Sequence, residues 1–216
     1  MYNFIKRFLD IIFSIFLLII LSPVLLICFI AVKLNSPGPA IFKQTRLCKN
    51  GKPFTMYKYR SMYINSEHSG TGVYSFKGDK RVTKVGNILR KTSLDELPQL
   101  VNILKGEMSF IGPRPVLTYH PWPYEEYNEK QKRRFNVRPG ITGLAQVNGR
   151  KASLWENRLE YDVEYADNLS FFLDFKIFFK TIVSVLKNES NENVGETSGR
   201  KNCLDSKEKT KTKSNE

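Results

Sequence analysis

The chain has 216 residues, which is enough for one domain of ordinary size with a hydrophobic core. Its 34 lysines and arginines against 21 acidic residues give a net charge of +13, which favours anionic partners such as phosphates, acidic lipid headgroups or nucleic acid. The three cysteines lie far apart and form no CxxC motif, which argues against a disulfide framework or a zinc site. We therefore expect free thiols at Cys28, Cys48 and Cys203. The two histidines are also far apart, which argues against a histidine metal site.

The N-terminal segment is apolar enough to enter a lipid bilayer. Between residues 8 and 32 the only charged side chain is Asp10, spaced for an i,i+4 pair with Lys6, and no signal-peptide cleavage site follows. Ser22-Pro23 interrupts the segment, and neither half alone crosses a core of roughly 30 Å. Basic residues flank both ends, which favours the cytoplasmic side for both. We expect residues 1–34 to form a re-entrant membrane helix; a spanning helix that tolerates the proline is the alternative.

A short β-hairpin is predicted after the break at residues 35–39, which read Asn-Ser-Pro-Gly-Pro. Apolar residues alternate loosely over residues 40–63, on both sides of Asn50-Gly51, which is a favoured hairpin turn. Lys58 and Arg60 lie on the second predicted strand. Residues 65–80 are polar and contain several glycines, so we expect a loop there.

Helical periodicity returns after this loop. Two apolar stripes with helical spacing are present, and Gly106 is the expected C-cap of the second. The first stripe comprises Val85, Ile88 and Leu89, and the second Leu97, Leu100, Val101 and Leu104.

The rest of the chain is predicted from composition and period. Residues 107–120 are rich in proline, so we expect them to be irregular, and residues 124–135 are predicted to form a helix with a basic end. Residues 138–150 predict a loop with a short strand. Residues 154–186 are predicted to be helical, with a Phe-rich later part that is buried or touches membrane. The polar tail at 188–216 is expected to be disordered.

Two adjacent carboxylates, Asp95 and Glu96, occur at a predicted helix start. Ser93 followed by Glu96 matches a capping box, and Thr92 followed by Asp95 gives a competing register. Either register places Asp95 in the first helical turn, where the helix dipole stabilises negative charge. Because such sequences also begin ordinary helices, the case for chemistry depends on the surrounding residues.

Arginines in rigid backbone surround this pair in the sequence. Arg114 lies between two prolines, and Arg138 and Arg150 bracket a glycine-rich loop. The planar guanidinium fork suits phosphate oxygens, and carboxylates are ligands for a hard cation such as Mg²⁺. The combination indicates chemistry on a phosphorylated, anionic substrate. No P-loop and no kinase signature occur, so transfer from ATP is not expected.

Several long motifs follow one another in a characteristic order. They are Lys6-Arg7 with Asp10, Ser22-Pro23, Ser36-Pro37-Gly38-Pro39, Tyr57-Lys58-Tyr59-Arg60-Ser61-Met62, Leu94 to Gln99, Gly106 to Pro115 and Arg138 to Arg150. In these motifs the chain resembles the monotopic bacterial phosphoglycosyl transferases, membrane-bound enzymes that start glycan assembly on polyprenyl phosphate. The resemblance covers residues 4 to about 187 and departs at Tyr59, where Phe is commoner. It is closest to the small members that act in protein glycosylation and capsule initiation.

The resemblance and the predicted elements together imply an α+β, mainly helical fold. A re-entrant membrane helix, a small β-hairpin and interfacial helices would form one compact domain. Residues 35–187 would be the catalytic domain, on the cytoplasmic face of the inner (plasma) membrane. The implied partners are a UDP-sugar, polyprenyl (undecaprenyl) phosphate and inner-membrane lipids, with no nucleic acid.

The resemblance also implies a covalent mechanism with Mg²⁺ as cofactor. Asp95 would attack the sugar-proximal phosphate of the UDP-sugar and release UMP, and polyprenyl phosphate would then take the phosphosugar. Glu96, together with Asp95, would hold Mg²⁺. The implied phosphate contacts are Lys58, Arg90, Arg114 and Arg150, and Asp162 is a further candidate for substrate or metal binding.

Three alternatives are consistent with parts of the sequence. Asp95 could act as a general base in a direct, single displacement. The charge alone suggests a membrane-tethered nucleic-acid binder, although the aromatic residues lack the pattern of a stacking platform. A scaffold without catalysis is the third. The sequence does not specify the sugar, the oligomeric state, or the pathway among capsule, exopolysaccharide, lipopolysaccharide and protein glycosylation.

Overall fold

A computed structural model describes residues 2–66, 78–149 and 155–186 of the chain. Most of these residues are helical and the strands are short, so the predicted α+β, mainly helical class is confirmed. The helices are α1 (Tyr2–Ile20), α2 (Ser22–Asn35), α3 (Lys84–Lys91), α4 (Gln99–Lys105), α5 (Glu129–Lys132), α6 (Leu144–Gly149), α7 (Trp155–Asp167) and α8 (Phe171–Leu186). The strands are β1 (Ile41–Leu47), β2 (Pro53–Tyr59), β3 (Ser109–Ile111) and β4 (Gly140–Thr142), paired as β1-β2 and β3-β4.

The first two helices form a bent pair. α1 and α2 meet at an angle of 65°. Pro23 has no N–H to donate to the Ile19 carbonyl, which accepts from Ser22 Oγ at 2.8 Å instead. In the described part of the chain, no single helix has the length and apolarity to cross a membrane, whereas the bent pair does when taken together. The break at Ser22-Pro23 is therefore confirmed, and re-entrant insertion stays a prediction.

Both helices of this pair turn large apolar side chains outward. The exposed members are Phe4, Ile5, Phe8, Ile12, Phe13, Ile15, Phe16, Ile19, Ile20, Leu26, Ile27, Phe29, Ile30 and Leu34. Singly exposed apolar residues are normal in soluble proteins, but this many on two adjacent helices indicate a surface that contacts lipid or another protein. On the inner side, Cys28 and Val32 pack against Tyr59 and Leu89, which joins α2 to β2 and α3.

Two arginines fasten the bent pair to the rest of the fold. Arg7 donates to the carbonyls of residues 103 and 104 at 2.6 and 2.9 Å, where α4 ends. Arg60 follows β2 rather than lying on it as predicted, and donates to the carbonyls of residues 36 and 37, both at 2.7 Å, just after α2. Each guanidinium therefore lies at a helix C-terminus, where positive charge complements the helix dipole.

The predicted ion pair between Lys6 and Asp10 is wrong. Lys6 Nζ lies 2.6 Å from Asp174 Oδ2, while Asp10 accepts a hydrogen bond from the Phe110 N–H at 3.2 Å. Asp174 also accepts from the Tyr165 hydroxyl at 2.7 Å. The polar residues of α1 thus hold α8 and β3 rather than each other.

The predicted hairpin is confirmed. β1 and β2 pair antiparallel from Ile41 opposite Tyr59 to Leu47 opposite Pro53. Asn50, with φ 61°, lies at the connection between them and uses the left-handed conformation that asparagine tolerates. Lys58 is on β2, as predicted.

The segment at 107–120, predicted to be irregular, contains a strand. β3 pairs in parallel with β4, and the backbones of these two segments approach closely at Gly112 and Gly140. A Cβ added to Gly140 would lie 2.1 Å from the Gly112 nitrogen, so only glycine fits there. This contact directs the chain into the proline-flanked Arg114.

The predicted helices of the C-terminal half are interrupted. Residues 124–135 form a 3₁₀ turn, the short α5 and a second 3₁₀ turn instead of one helix. The later helical region divides into α7 and α8; at this division the Asn168 side chain donates to the Glu164 carbonyl, and Ser170 Oγ accepts from the Leu173 N–H. The Glu164 carbonyl also accepts its regular helical bond from the Asn168 N–H at 3.0 Å, so only Ser170 Oγ takes the place of a backbone partner, at the start of α8.

α8 buries a narrow face and exposes aromatic rings. Ile177 packs in a core with Ile111 and Tyr165. The outward residues are Phe171, Phe172, Phe175, Phe178, Phe179, Ile182, Val183 and Val185. The ring of Phe171 lies 6.5 Å from that of Tyr2, so the exposed faces of α1 and α8 begin side by side.

Candidate active site

Asp95 lies in a 3₁₀ turn between α3 and α4, not at the start of an α-helix. Both predicted caps are wrong: Ser93 has a left-handed φ of 56° with no capping hydrogen bond, and the Thr92 hydroxyl donates to the Ile88 carbonyl. Pro98 cannot donate to the Leu94 carbonyl, which accepts from Leu97 at 3.3 Å instead, giving the tighter turn. A helix dipole therefore does not explain the environment of Asp95.

The two carboxylates differ in their surroundings. Asp95 is buried, with 8% of its surface exposed. Glu96 Oε1 accepts from Lys58 Nζ at 2.8 Å and lies 3.8 Å from Arg114 NH1. The structure thus brings two of the predicted site residues, Lys58 and Arg114, to Glu96, and Asp95 is next to Glu96 in the chain.

The protonation of Asp95 reflects burial opposed by neighbouring cations. The pKa of Asp95 is raised to about 6, mainly by loss of solvent and to a smaller extent by the charge of Glu96. The positive charges of Lys58, Arg90 and Arg114 lower it. Burial outweighs these attractions, but Asp95 is still mainly a carboxylate at neutral pH.

Asn102 fixes the strand that carries Lys58 against α4. Its side-chain oxygen accepts from the Tyr57 N–H at 3.0 Å, and its amide nitrogen donates to the Thr55 carbonyl at 2.7 Å. The Asn102 side chain thereby makes two hydrogen bonds to the backbone of β2, of the kind that a neighbouring strand would make. This places Lys58, the next residue of β2, beside the turn that carries Glu96.

Arg90 and Arg114 approach the carboxylates from opposite parts of the chain. Arg90 is in the last turn of α3, and its pKa is lowered by burial while the charge of Asp95 acts in the opposite direction. Arg114 follows β3, and its side chain is half exposed. The Pro113 carbonyl accepts from the Gly140 N–H at 2.9 Å, which fixes the chain one residue before Arg114.

Two predicted site residues are not brought into this cluster. Arg150 lies outside the described residues, so its role stays a prediction. Asp162 is buried, with 3% of its surface exposed, and forms an ion pair with Arg134 at 2.6 Å. This geometry corrects the interpretation of Asp162 as a ligand for substrate or metal, because its carboxylate faces a protein cation inside the core.

The Asp95-Glu96 pair fits Mg²⁺ in its chemistry. Mg²⁺ is commonly held by one or two carboxylates, with substrate phosphates and water completing the octahedron. Asp95 and Glu96 supply such oxygens, and Glu96 is partly exposed. Across the described ranges, no group of three His, Cys, Asp or Glu side chains is arranged to hold a metal ion. The substrate would therefore have to provide the remaining ligands.

Two residues that shape the site were not identified from the sequence. Asn102 is the only polar residue between Leu100 and Leu104, and a polar residue within such an apolar run is a usable signal for a buried contact. Arg134 lies in a run of basic residues, where nothing local separates a buried arginine from exposed ones.

Comparison with known proteins gives a consistent set of relatives. The family model described as bacterial sugar transferase matches residues 1–188. The chain is 48% identical over 185 residues to the uncharacterized sugar transferase EpsL of Bacillus subtilis, covering 85% of this chain and 88% of that protein.

Two longer relatives have names that state a reaction. The UDP-glucose:undecaprenyl-phosphate glucose-1-phosphate transferase of Escherichia coli is 44% identical over 86% of this chain. The UDP-N-acetylgalactosamine-undecaprenyl-phosphate N-acetylgalactosaminephosphotransferase of Aeromonas hydrophila is 43% identical, also over 86%. The chain spans only 41% and 44% of these two proteins.

Proposed function

The chain belongs to the bacterial sugar transferase family, and on that premise we propose that it transfers a sugar-1-phosphate from a UDP-sugar to undecaprenyl phosphate. It is a phosphoglycosyl transferase by its relatives, whose names state this type of reaction. The observation that carries the proposal is a buried carboxylate, Asp95, beside Glu96 and within the fields of Lys58, Arg90 and Arg114. Such a cluster suits a nucleophile that meets an anionic diphosphate.

In the proposed first step, a carboxylate oxygen of Asp95 attacks the phosphorus attached to the sugar. A new O–P bond forms, the P–O bond of the phosphoanhydride breaks, and UMP leaves with the bonding electron pair. The product is a phosphosugar-aspartate, an acyl phosphate that remains reactive toward a second nucleophile. With a pKa of about 6, Asp95 supplies the ionised form at neutral pH without a separate base.

In the second step, a phosphate oxygen of undecaprenyl phosphate attacks the same phosphorus. The bond to Asp95 breaks, its carboxylate is restored, and undecaprenyl-diphosphate-sugar is released. One phosphoanhydride replaces another, so the reaction needs no other energy source.

The neighbouring cations bind and orient the phosphates in both steps. Arg114, with its half-exposed side chain, offers guanidinium donors to the diphosphate, and Arg90 balances charge at Asp95. Lys58 holds Glu96 in place through the 2.8 Å ion pair. When bound at Asp95 and Glu96, Mg²⁺ would neutralise negative charge on the phosphates.

We also propose that the chain lies on the cytoplasmic face of the inner membrane. The exposed apolar surfaces of α1 and α2 suit the hydrocarbon region, and the 65° bend suits a helix that enters and leaves on one side. The aromatic face of α8 begins beside α1 and would lie in the interface. This arrangement would put Asp95 near the phosphate of a lipid-linked acceptor.

The covalent route is tested by incubating the purified protein with a UDP-sugar in the absence of undecaprenyl phosphate. The donor panel starts with UDP-glucose and UDP-N-acetylgalactosamine. We expect release of about one UMP per protein and a mass increase of one phosphosugar on the peptide that contains Asp95. The Asp95→Asn variant should show neither. UMP release that begins only when undecaprenyl phosphate is added, with no adduct before it, would instead support direct displacement with Asp95 as general base.

A further inference from the structure

A buried ion pair lies behind the loop that carries Arg114. Asp162, on α7, accepts two hydrogen bonds on Oδ2 from Arg134, at 3.1 Å from Nε and 2.6 Å from NH2. Only 2% of the Arg134 side chain and 4% of the Asp162 side chain are exposed. Arg134 NH2 also donates to the backbone carbonyl of Arg114 at 2.8 Å. The buried ion pair therefore contacts, through Arg134, the backbone carbonyl of Arg114, a proposed substrate-binding residue.

Stability does not account for this arrangement. Desolvation of two charges offsets much of their attraction, and an apolar pair of the same volume is often at least as stable. An apolar pair would lack a donor for the Arg114 carbonyl, however. What the charged pair supplies in particular is a guanidinium held by Asp162 in a fixed orientation, with one N–H directed at that carbonyl.

The chain on either side of Arg114 is also held. The Pro113 carbonyl accepts from the Gly140 N–H at 2.9 Å, and the Pro115 carbonyl accepts from Arg46 NH1 at 3.0 Å. The backbone of residues 113–115 is thus immobilised while the Arg114 side chain points outward. Its NH1 atom lies 3.8 Å from Glu96 Oε1.

We infer that Asp162 and Arg134 are positioning residues for Arg114. Asp162 orients the guanidinium of Arg134, which holds the Arg114 carbonyl and with it the direction of the Arg114 side chain toward Glu96. This inference rests on the proposed function, in which Arg114 binds the phosphates of the donor. Asp162 acts at a distance, through two arginines, and does not touch the substrate.

Arg134→Lys is the first test, because lysine keeps a positive charge beside Asp162 but cannot donate to the carboxylate and the carbonyl as a fork. We expect kcat/KM for UMP release from a UDP-sugar to fall about tenfold, since a small misplacement of a binding group has effects of this order or larger. Asp162→Asn should cause a similar loss. Thermal unfolding and the elution profile identify any variant that is misfolded rather than misaligned.

A double-mutant cycle with Arg114→Gln separates positioning from general damage. If Arg134 acts through Arg114, the Arg134→Lys change should alter kcat/KM by less than about twofold once Arg114 is Gln. Independent losses that multiply in the double variant would overturn the inference. Unchanged kcat/KM in both Arg134→Lys and Asp162→Asn would overturn it as well.

Asp174→Asn is the matched control. Asp174 is also a buried carboxylate with a cationic partner, Lys6, but it ties α1 to α8 and makes no contact with residues 113–115. Its losses of stability and activity should persist in the Arg114→Gln background. Absence of UMP release by the unsubstituted chain would overturn the proposed function and this inference together. If the unsubstituted chain is active but the losses of kcat/KM from Arg134→Lys and Arg114→Gln multiply in the double variant, only the inference is overturned.

Discussion

Lys58 Nζ lies 2.8 Å from Glu96 Oε1, so the cation on β2 pairs with the neighbour of Asp95 rather than with Asp95 itself. The pair partly neutralises Glu96, whose charge would otherwise raise the pKa of Asp95 further. Lys58 also attracts the Asp95 carboxylate directly, through its field. One lysine thus acts on the proposed nucleophile in two ways, both of which favour the ionised form.

The pH dependence of UMP release should follow from this relationship. Asp95 attacks only as a carboxylate, so kcat/KM for UMP release, which reports the pKa values of the free protein, should rise with pH through a limb near 6, the pKa of Asp95. Lys58→Met removes a charge that lowers this pKa, so the limb should move to higher pH, by about one unit. Lys105→Met, which removes an exposed lysine of α4, is the control and should leave the limb in place. A limb unmoved by Lys58→Met would contradict the proposed electrostatics.

Stability should improve when Asp95 is made neutral. Its folded-state pKa of about 6 exceeds the ordinary value of 3.8, so the folded protein loses stability as pH rises between these values and carries the penalty at neutral pH. Asp95→Asn should therefore raise the free energy of unfolding at pH 7 by roughly 1–3 kcal/mol. The gain should disappear below pH 3.8, where the Asp95 carboxyl group is protonated in both the folded and the unfolded protein.

Urea unfolding at pH 7 and at low pH measures this difference. Asp167→Asn is the control, because Asp167 forms a surface pair with Arg133. Its effect should stay within about 0.5 kcal/mol. A destabilised Asp95→Asn variant at pH 7 would show that the attraction of the cations exceeds the cost of burial.

Features set by neighbouring residues could be predicted from the sequence. The turn at Asn50-Gly51 and the break at Ser22-Pro23 depend on local backbone chemistry, and both were predicted correctly. Gly106 ends α4 in the left-handed conformation for the same reason. The family resemblance assigned Lys58 and Glu96 to one site, but their ion pair was not predicted, because 38 residues separate them and no local pattern joins them.

Features that depend on tertiary contacts could not be predicted in this way. Ser93 looked like a helix cap, but its positive φ and the missing N–H of Pro98 produce a 3₁₀ turn. Asp162 looked like a ligand because a carboxylate in a family motif is an obvious candidate, and only the position of Arg134 shows that it is buried in an ion pair. Hydrophobic periodicity in the sequence gives no information on which distant residue a buried side chain contacts.

Asn102 should be important for stability out of proportion to its size. Its side chain joins the Tyr57 N–H, the Thr55 carbonyl and the Glu107 carboxylate, and it is fully buried. Asn102→Ala leaves these groups without that partner, so we expect a loss of about 2–4 kcal/mol in the free energy of unfolding. Asn87→Ala, at an exposed position of α3, is the control. An Asn102→Ala loss as small as the control's would mean that water replaces the amide.

The bend between α1 and α2 leads to a topology that can be measured in whole cells. In a chain whose own cysteines are replaced, Asn3→Cys and Asn50→Cys each introduce one exposed thiol, the first near the start of α1 and the second in the hairpin turn. If the 65° bend returns the chain to the side it entered from, both should resist an impermeant thiol reagent in intact cells and react after permeabilisation. Reaction of both only after permeabilisation also shows that each thiol is accessible in the folded protein. Labelling of the first site alone in intact cells would mean that the helix pair spans the bilayer, with Asp95 and the N-terminus on opposite sides.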